Sequence, residues 1–194
     1  MVLFSSLNQS LFTSIHSLSG QYVFLDTIGI FFASYLQYVM VGALLALFFF
    51  AKNKREYIAM VLVAILSAFT ARYVLKTTVL LFYAEPRPFV FLDFTPLITT
   101  PINENLQSFP SGHALFFFAL AMGVGMFNKR YGIFFFIGAL LMGVGRVYTG
   151  VHWPLDIVFG ACIGSVVGLL IFHVYRAYAE GVDELIARFV KYIR

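Results

Sequence analysis

Apolar residues run along this chain in long blocks that stop at short polar or basic interruptions. Residues 3–18 place Leu3, Leu7, Leu11, Ile15 and Leu18 at helical spacing beside Phe4 and Phe12, with Ser6, Asn8, Gln9, Ser10, Thr13 and Ser17 largely on the other side. The pattern predicts an amphipathic helix too polar to span alone. It lacks the lysines of an anionic-lipid binder, so it lies at the interface or packs on the bundle. From Tyr22 to Ala51 the chain is nearly all apolar, interrupted by Asp26 and Gln37. That run exceeds the ~20 residues of one span, and predicts a short helix followed by a span from about 34 to 51. Further spans are predicted over Tyr57–Tyr83, Ser111–Phe127, Gly132–Val147 and Leu155 to about Tyr178. Residues 182–193 carry Val182, Leu185, Ile186, Phe189 and Ile193 on one stripe, which predicts an amphipathic helix on the cytoplasmic surface. The expected fold is all-α: a polytopic transmembrane helix bundle of five to six spans, with amphipathic interfacial helices at both ends.

Composition agrees with this pattern. Of 194 residues, 61% are hydrophobic and 11% charged, against about 25% charged in soluble domains. Lipid must therefore face most of the surface. The net charge of +4 does not point to nucleic acid, because the basic residues flank apolar runs. Lys52, Lys54 and Arg55 form one cluster, Lys129 and Arg130 another, and Arg176, Arg188, Lys191 and Arg194 a third. This is the distribution of cytoplasmic loops. It puts the C-terminus in the cytoplasm and the 84–110 loop and the 148–154 turn outside. The start of the chain lacks the basic stretch of a cleavable signal peptide. Cys162 has no second cysteine to pair with, and carries no information about redox compartment. Gly160, Gly164 and Gly168, four apart, predict close approach of a neighbouring helix.

Three polar clusters fall on the outer side. In "YAEPRPFV", residues 83–90, Pro86 and Pro88 bracket Arg87 and end the preceding span. In "QSFPSGHALFFF", residues 107–118, Pro110 can start a helix whose first turn offers the free N–H groups of Ser111 and Gly112, with His113 next. Such a terminus attracts anions. In "GRVYTGVHWPLDIV", residues 145–158, Arg146 ends one span and Asp156 lies in the first turn of the next. There Asp156 can accept an N–H of His152 and leave the other ring nitrogen free to attack. Each cluster alone also reads as an interfacial arginine, a helix cap or a structural hydrogen bond. Together they make a seat for a tetrahedral oxyanion between two guanidinium forks, with two imidazoles for phosphoryl transfer. The arginines would repel a bound dication, so neither a protein-bound metal nor a cofactor is expected.

The clusters resemble the type 2 phosphatidic acid phosphatase superfamily, whose pattern is Lys-x6-Arg-Pro, then Pro-Ser-Gly-His, then Ser-Arg-x5-His-x3-Asp. Arg87-Pro88, residues 110–113, and Arg146, His152 and Asp156 match in order and spacing over roughly residues 57–175. The resemblance implies one membrane-embedded lipid phosphatase domain over 1–194. His152 would be the nucleophile that forms a phosphohistidine, Asp156 its orienting partner and His113 the acid. Arg87, Ser111, Gly112 and Arg146 would hold phosphate oxygens. Two positions depart from the pattern: Gly145 stands where serine is usual, and Leu80 where the motif lysine belongs. Lys76 and Arg72 lie one and two turns deeper on the same face. Lys76 either snorkels up to the phosphate, or pairs with Arg72 to acceptors in the bundle or to a diphosphate.

The missing lysine and "EPRPF" are similar to the bacitracin-resistance branch of small undecaprenyl-diphosphate phosphatases. The expected function is therefore hydrolysis of undecaprenyl diphosphate at the outer face of a bacterial inner membrane. Within the superfamily the alternatives are a phosphatidylglycerophosphate or phosphatidate phosphatase and a lipid phosphotransferase. From another class, a transporter or scaffold with an anion site is disfavoured, because transporters place polar groups near the midplane. The expected partners are a polyprenyl or glycerolipid phosphate and the bilayer. The loop segment "FVFLDFTPL", residues 89–97, is expected to dip into the interface over the cleft.

Overall fold

The computed structural model describes residues 5–50 and 54–192. Its main helices are α1 (Ser5–His16), α2 (Val23–Phe49), α3 (Lys54–Leu80), α4 (Gly112–Phe127), α5 (Lys129–Tyr148), α6 (Pro154–Ala177) and α7 (Ala179–Tyr192). The starts follow from local chemistry. Ser111 caps α4, Asn128 Oδ1 accepts the N–H groups of Arg130 and Tyr131 at 3.0 and 3.2 Å to start α5, and Pro154 opens α6.

Four of these helices, α2, α3, α5 and α6, are long and apolar enough to cross a membrane. This corrects the expected five to six. The difference lies at α4, a 16-residue apolar helix, about 24 Å long. It packs between α3, α5 and α6, and almost every residue of its first three turns is buried. Its polar start meets protein rather than a membrane surface, so a full-length apolar run is not required of it.

A second correction concerns residues 22–51, where the expected short helix and separate span form the continuous helix α2. The run contains no proline, and Gly29 is buried against the Tyr148 ring. Asp26 stays near the end of the helix, where Oδ1 accepts from Tyr148 Oη at 2.7 Å and from the Gly20 N–H at 3.0 Å. Instead of a break there is a π turn at Phe31–Tyr35, and a second lies in α3 at Thr70–Leu75. Wider turns of this kind free backbone groups and cluster at functional sites.

The amphipathic helices at the two ends form, but α1 is docked on the bundle. Phe12 is buried against Trp153, with ring centroids 5.1 Å apart, and Asn8 Oδ1 accepts the Leu155 N–H at 3.1 Å. His16 Nδ1 lies 2.8 Å from the Tyr148 carbonyl. The polar face of α1 is thus partly spent on the ends of α5 and α6. At the other end, Ile186 of α7 is buried beside Ile58 and Ala59 of α3.

Helices α4 and α6 approach closely where the glycine stripe predicts it. A side chain at Gly164 would meet the Leu115 carbonyl, and one at Gly160 or Gly168 would meet Ala114 or Met122. The loop from 81 to 111 folds over the same end as the α5–α6 turn. The Trp153 indole donates to the Pro86 carbonyl at 3.0 Å, the Leu97 N–H to the Thr149 carbonyl at 3.1 Å, and the Ser108 N–H to the Glu85 carbonyl at 3.0 Å. Within the segment expected to dip into lipid, Val90, Phe91 and Leu92 are exposed, whereas Phe94 packs on the His16 ring.

Candidate active site

The site forms where the loop, the first turns of α4 and α6 and the last turn of α5 meet. His152 follows α5 and is buried. Its Nδ1 lies 3.1 Å from Asp156 Oδ2 in the first turn of α6. The same oxygen accepts the Trp153 N–H at 2.9 Å and the Ser108 hydroxyl at 2.5 Å. A carboxylate on Nδ1 fixes the tautomer that leaves Nε2 free, and Nε2 lies 3.4 Å from Arg87 Nη1.

Arg87 is buried and held from three sides. Nη1 donates to the Val151 carbonyl at 2.9 Å, Nε to the Glu104 carbonyl at 3.0 Å, and Nη2 to Glu104 Oε2 at 2.8 Å. Burial lowers the pKa of this guanidinium, and Glu104 opposes the shift. Burial also holds the His152 imidazole well below its usual value, helped by the positive charges of Arg87, Arg146 and Lys76. The ring is therefore neutral at physiological pH.

Arg146, in the last turn of α5, reaches the carbonyl of Ala33 in the α2 π turn at 3.4 Å. Its Nε is buried with no hydrogen-bond partner among the described residues, which calls for an anion. Ser111 is fully buried; its N–H donates to the Asp156 carbonyl at 3.1 Å. That bond ties the first turn of α4 to that of α6, and it takes up the Ser111 N–H expected to be free, so Ser111 meets an anion through its hydroxyl. Half-buried His113 faces a cleft between α2, α3 and α4. Lys76 Nζ donates to the Gln107 carbonyl at 3.3 Å.

The structure thus gathers His152, Asp156, Arg87, Ser111, Gly112 and Arg146 at one end of the bundle, with His113 and Lys76 beside them. Three further residues join them without a sequence signal of their own. Ser108 contacts Asp156, Glu104 pairs with Arg87, and Glu85 lies buried near Asp156. Gly145 also acquires a reason: a side chain there, serine included, would press into the α2 backbone at Gly29 and Ala33. Among the described residues no group of three or more His, Cys, Asp or Glu is placed to hold a metal ion. A neutral imidazole, two buried guanidinium groups and a helix N-terminus can together hold a tetrahedral oxyanion and present a nucleophile to it.

The PAP2 superfamily model matches residues 56–179, which contain all of these groups. The chain belongs to the PAP2 superfamily. It is 29% identical over 170 residues to the bacitracin transport permease protein BcrC of Bacillus licheniformis, covering 87% of this chain and 81% of that protein. It is 28% identical over 167 residues to the undecaprenyl-diphosphatase BcrC of Bacillus subtilis, covering 86% and 83%. The crystal structure of Aquifex aeolicus LpxE superposes with a TM-score of 0.70 at 29% identity, over 89% of this chain and 99% of that one. The chain is thus a PAP2 member homologous to the BcrC-type undecaprenyl-diphosphate phosphatases, with apolar helices of a multi-pass membrane protein.

Proposed function

We propose that this protein is an integral membrane lipid phosphatase that hydrolyses undecaprenyl diphosphate to the monophosphate through a phosphohistidine on His152. The observation that carries the reading is the pairing of His152 Nδ1 with Asp156 while Nε2 faces Arg87. In this reading Nε2 attacks the terminal phosphorus, and Asp156 stabilises the imidazolium character that develops. Arg87, Arg146, the Ser111 hydroxyl and the Gly112 N–H hold the equatorial oxygens as charge spreads over them. His113 protonates the leaving oxygen, then takes a proton from the water that splits the N–P bond. Lys76, seated on the Gln107 carbonyl, adds positive charge to the rim.

In this reading the site opens on the extracytoplasmic face of a bacterial inner membrane and the C-terminus lies in the cytoplasm, which the basic residues at the opposite end support. In this arrangement α4 is shielded by α3, α5 and α6, and α1 and α7 lie at the two interfaces. The name of the Bacillus subtilis relative supports the diphosphate substrate. The Bacillus licheniformis relative, called a transport permease, favours a second reading: an anion-binding transporter.

Phosphate release by purified protein in detergent separates these readings. Undecaprenyl diphosphate, phosphatidylglycerophosphate and phosphatidate are compared, with and without chelator, beside His152→Ala. The expected result is a preference for the prenyl diphosphate, insensitive to chelator and abolished in His152→Ala. Equal turnover of the glycerolipids means a broad lipid phosphatase. Phosphate appearing on another lipid means a phosphotransferase. No histidine-dependent release from any lipid favours transport.

A further inference from the structure

Arg72 lies in the π turn of α3 and lines a cleft of about 260 Å3 together with Gln37, Tyr38, Tyr73, His113 and Phe116. The cleft reaches the lateral surface of the bundle, where Tyr38 and Tyr73 are exposed. At its inner end, Arg72 Nη1 stands where a side chain on Gly112 would lie, with Lys76 Cδ beside it. The guanidinium therefore sits against the first turn of α4. Arg87 is engaged by Glu104, Arg146 by the Ala33 carbonyl and Lys76 by the Gln107 carbonyl. Among the described residues, Arg72 has neither an ion pair nor a hydrogen bond. Its guanidinium carbon lies 5.7 Å from the centroid of the Tyr73 ring. A guanidinium within a membrane-crossing helix and without a counter-charge is costly, which marks it as functional.

We propose that Arg72 binds the lipid-side phosphate of a diphosphate substrate, and so sets a preference for diphosphate over monophosphate lipids. The inference rests on the lipid phosphatase reading of the His152 site. With the terminal phosphate between Arg87, Arg146 and the α4 N-terminus, the remainder of the lipid must reach hydrocarbon, and the cleft past His113 and Arg72 opens that way. As His152 Nε2 forms its bond to the terminal phosphorus, the bond from that phosphorus to the bridging oxygen breaks. The electron pair stays on the bridging oxygen, which becomes an oxygen of the departing lipid monophosphate. Negative charge grows on that group during the step, and a fixed guanidinium against it lowers the barrier. His113 supplies the proton that this oxygen takes up. A monophosphate lipid instead leaves as an alcohol, protonated at His113, and presents no second phosphate to Arg72. Arg72 thus distinguishes the two substrates by the length of the headgroup.

The test compares farnesyl diphosphate with farnesyl monophosphate, which share one tail. Arg72→Ala is expected to lower kcat/KM on the diphosphate by about 10- to 100-fold, the loss of a charged hydrogen bond, and on the monophosphate by less than about threefold. Arg72→Lys should retain part of the diphosphate activity, since it keeps the charge and loses the fork. Equal losses on both substrates, or an unchanged diphosphate rate, overturn the proposal. Arg72→Gln, with its unfolding midpoint in detergent, replaces the alanine variant if that fails to fold. A second arm needs no turnover and uses His152→Ala protein. Tighter binding of the diphosphate, lost on adding Arg72→Ala, supports the assignment, and equal binding of the two lipids overturns it. No release from either lipid by the unmodified protein contradicts the phosphatase reading, and the binding arm then decides the role of Arg72 separately.

Discussion

The hydroxyl of Ser108 lies 2.5 Å from Asp156 Oδ2, the oxygen that also faces His152 Nδ1. Ser108, Trp153 N–H and His152 therefore converge on one carboxylate oxygen in a buried setting. A carboxylate held this way keeps its direction, and through it the orientation of His152.

Ser108 is accordingly a positioning residue. Ser108→Ala is expected to lower kcat by about 3- to 10-fold with KM unchanged, because Trp153 N–H and His152 still hold the carboxylate and only part of a hydrogen bond's worth reaches the nucleophile. Ser108→Thr should restore most of the rate. Asp156→Asn, which removes the charge itself, should cost about 10²- to 10⁴-fold. Steady-state kinetics on one lipid substrate check all three. A fall in the unfolding midpoint with no change in kcat would mean that Ser108 only packs.

The pH dependence follows from His152. Burial and the nearby cations depress its pKa, so the free enzyme keeps a neutral nucleophile below the ordinary imidazole value of about 6.5. The profile of kcat/KM should show no acid limb from His152 near pH 6.5. In Arg87→Ala the His152 titration, followed by NMR, should move upward, and burial should still hold it below the ordinary value. Stability has a definite sign as well. Because the folded-state value is depressed, the contribution is present above about pH 6.5 and lost as pH falls through the folded value, the unfolded chain taking the proton first. Acidification below pH 6.5 should therefore lower the unfolding midpoint, and His152→Gln should weaken that trend.

The α4–α6 contact is tested at Gly164. A side chain there meets the Leu115 backbone carbonyl, which cannot rotate away, whereas one at Gly42 meets nothing within 4 Å. Gly164→Val should destabilise the protein by about 1–3 kcal/mol, while Gly42→Ala should not. Unfolding in detergent compares the two. Activity of Gly164→Val should fall too, since the same contact brings Ser111 to Asp156.

Much of this arrangement is legible in the sequence for a physical reason. In a chain so apolar, Arg87, Ser111, His113, Arg146, His152 and Asp156 have few places to go except one another, and the prolines and helix caps beside them fix where each helix begins. Ser108 and Glu104 were not assigned because their partners depend on how the loop from 81 to 111 folds back, through bonds such as Arg87 N–H to the Asn105 carbonyl at 2.9 Å. The continuity of α2 is not legible because a run longer than one span needs suggests a break, yet Asp26 and Gln37 both find partners within a continuous helix, Asp26 in Tyr148 and Gln37 in the Ser34 carbonyl at 2.8 Å. The number of long spans was overestimated because hydrophobicity does not tell whether lipid or neighbouring helices cover α4. Gly145 reads as a lost hydroxyl until α2 is seen lying against it.

The most direct test of the central claim is a search for the phosphorylated histidine. The purified protein is mixed with undecaprenyl diphosphate labelled in its terminal phosphate, quenched in alkali on the millisecond-to-second scale, and digested for peptide mapping. The account predicts transient label on the peptide that contains His152, absent in His152→Ala and accumulating when His113→Ala slows the attack of water. Steady phosphate release with no label on His152 at any quench time would contradict it.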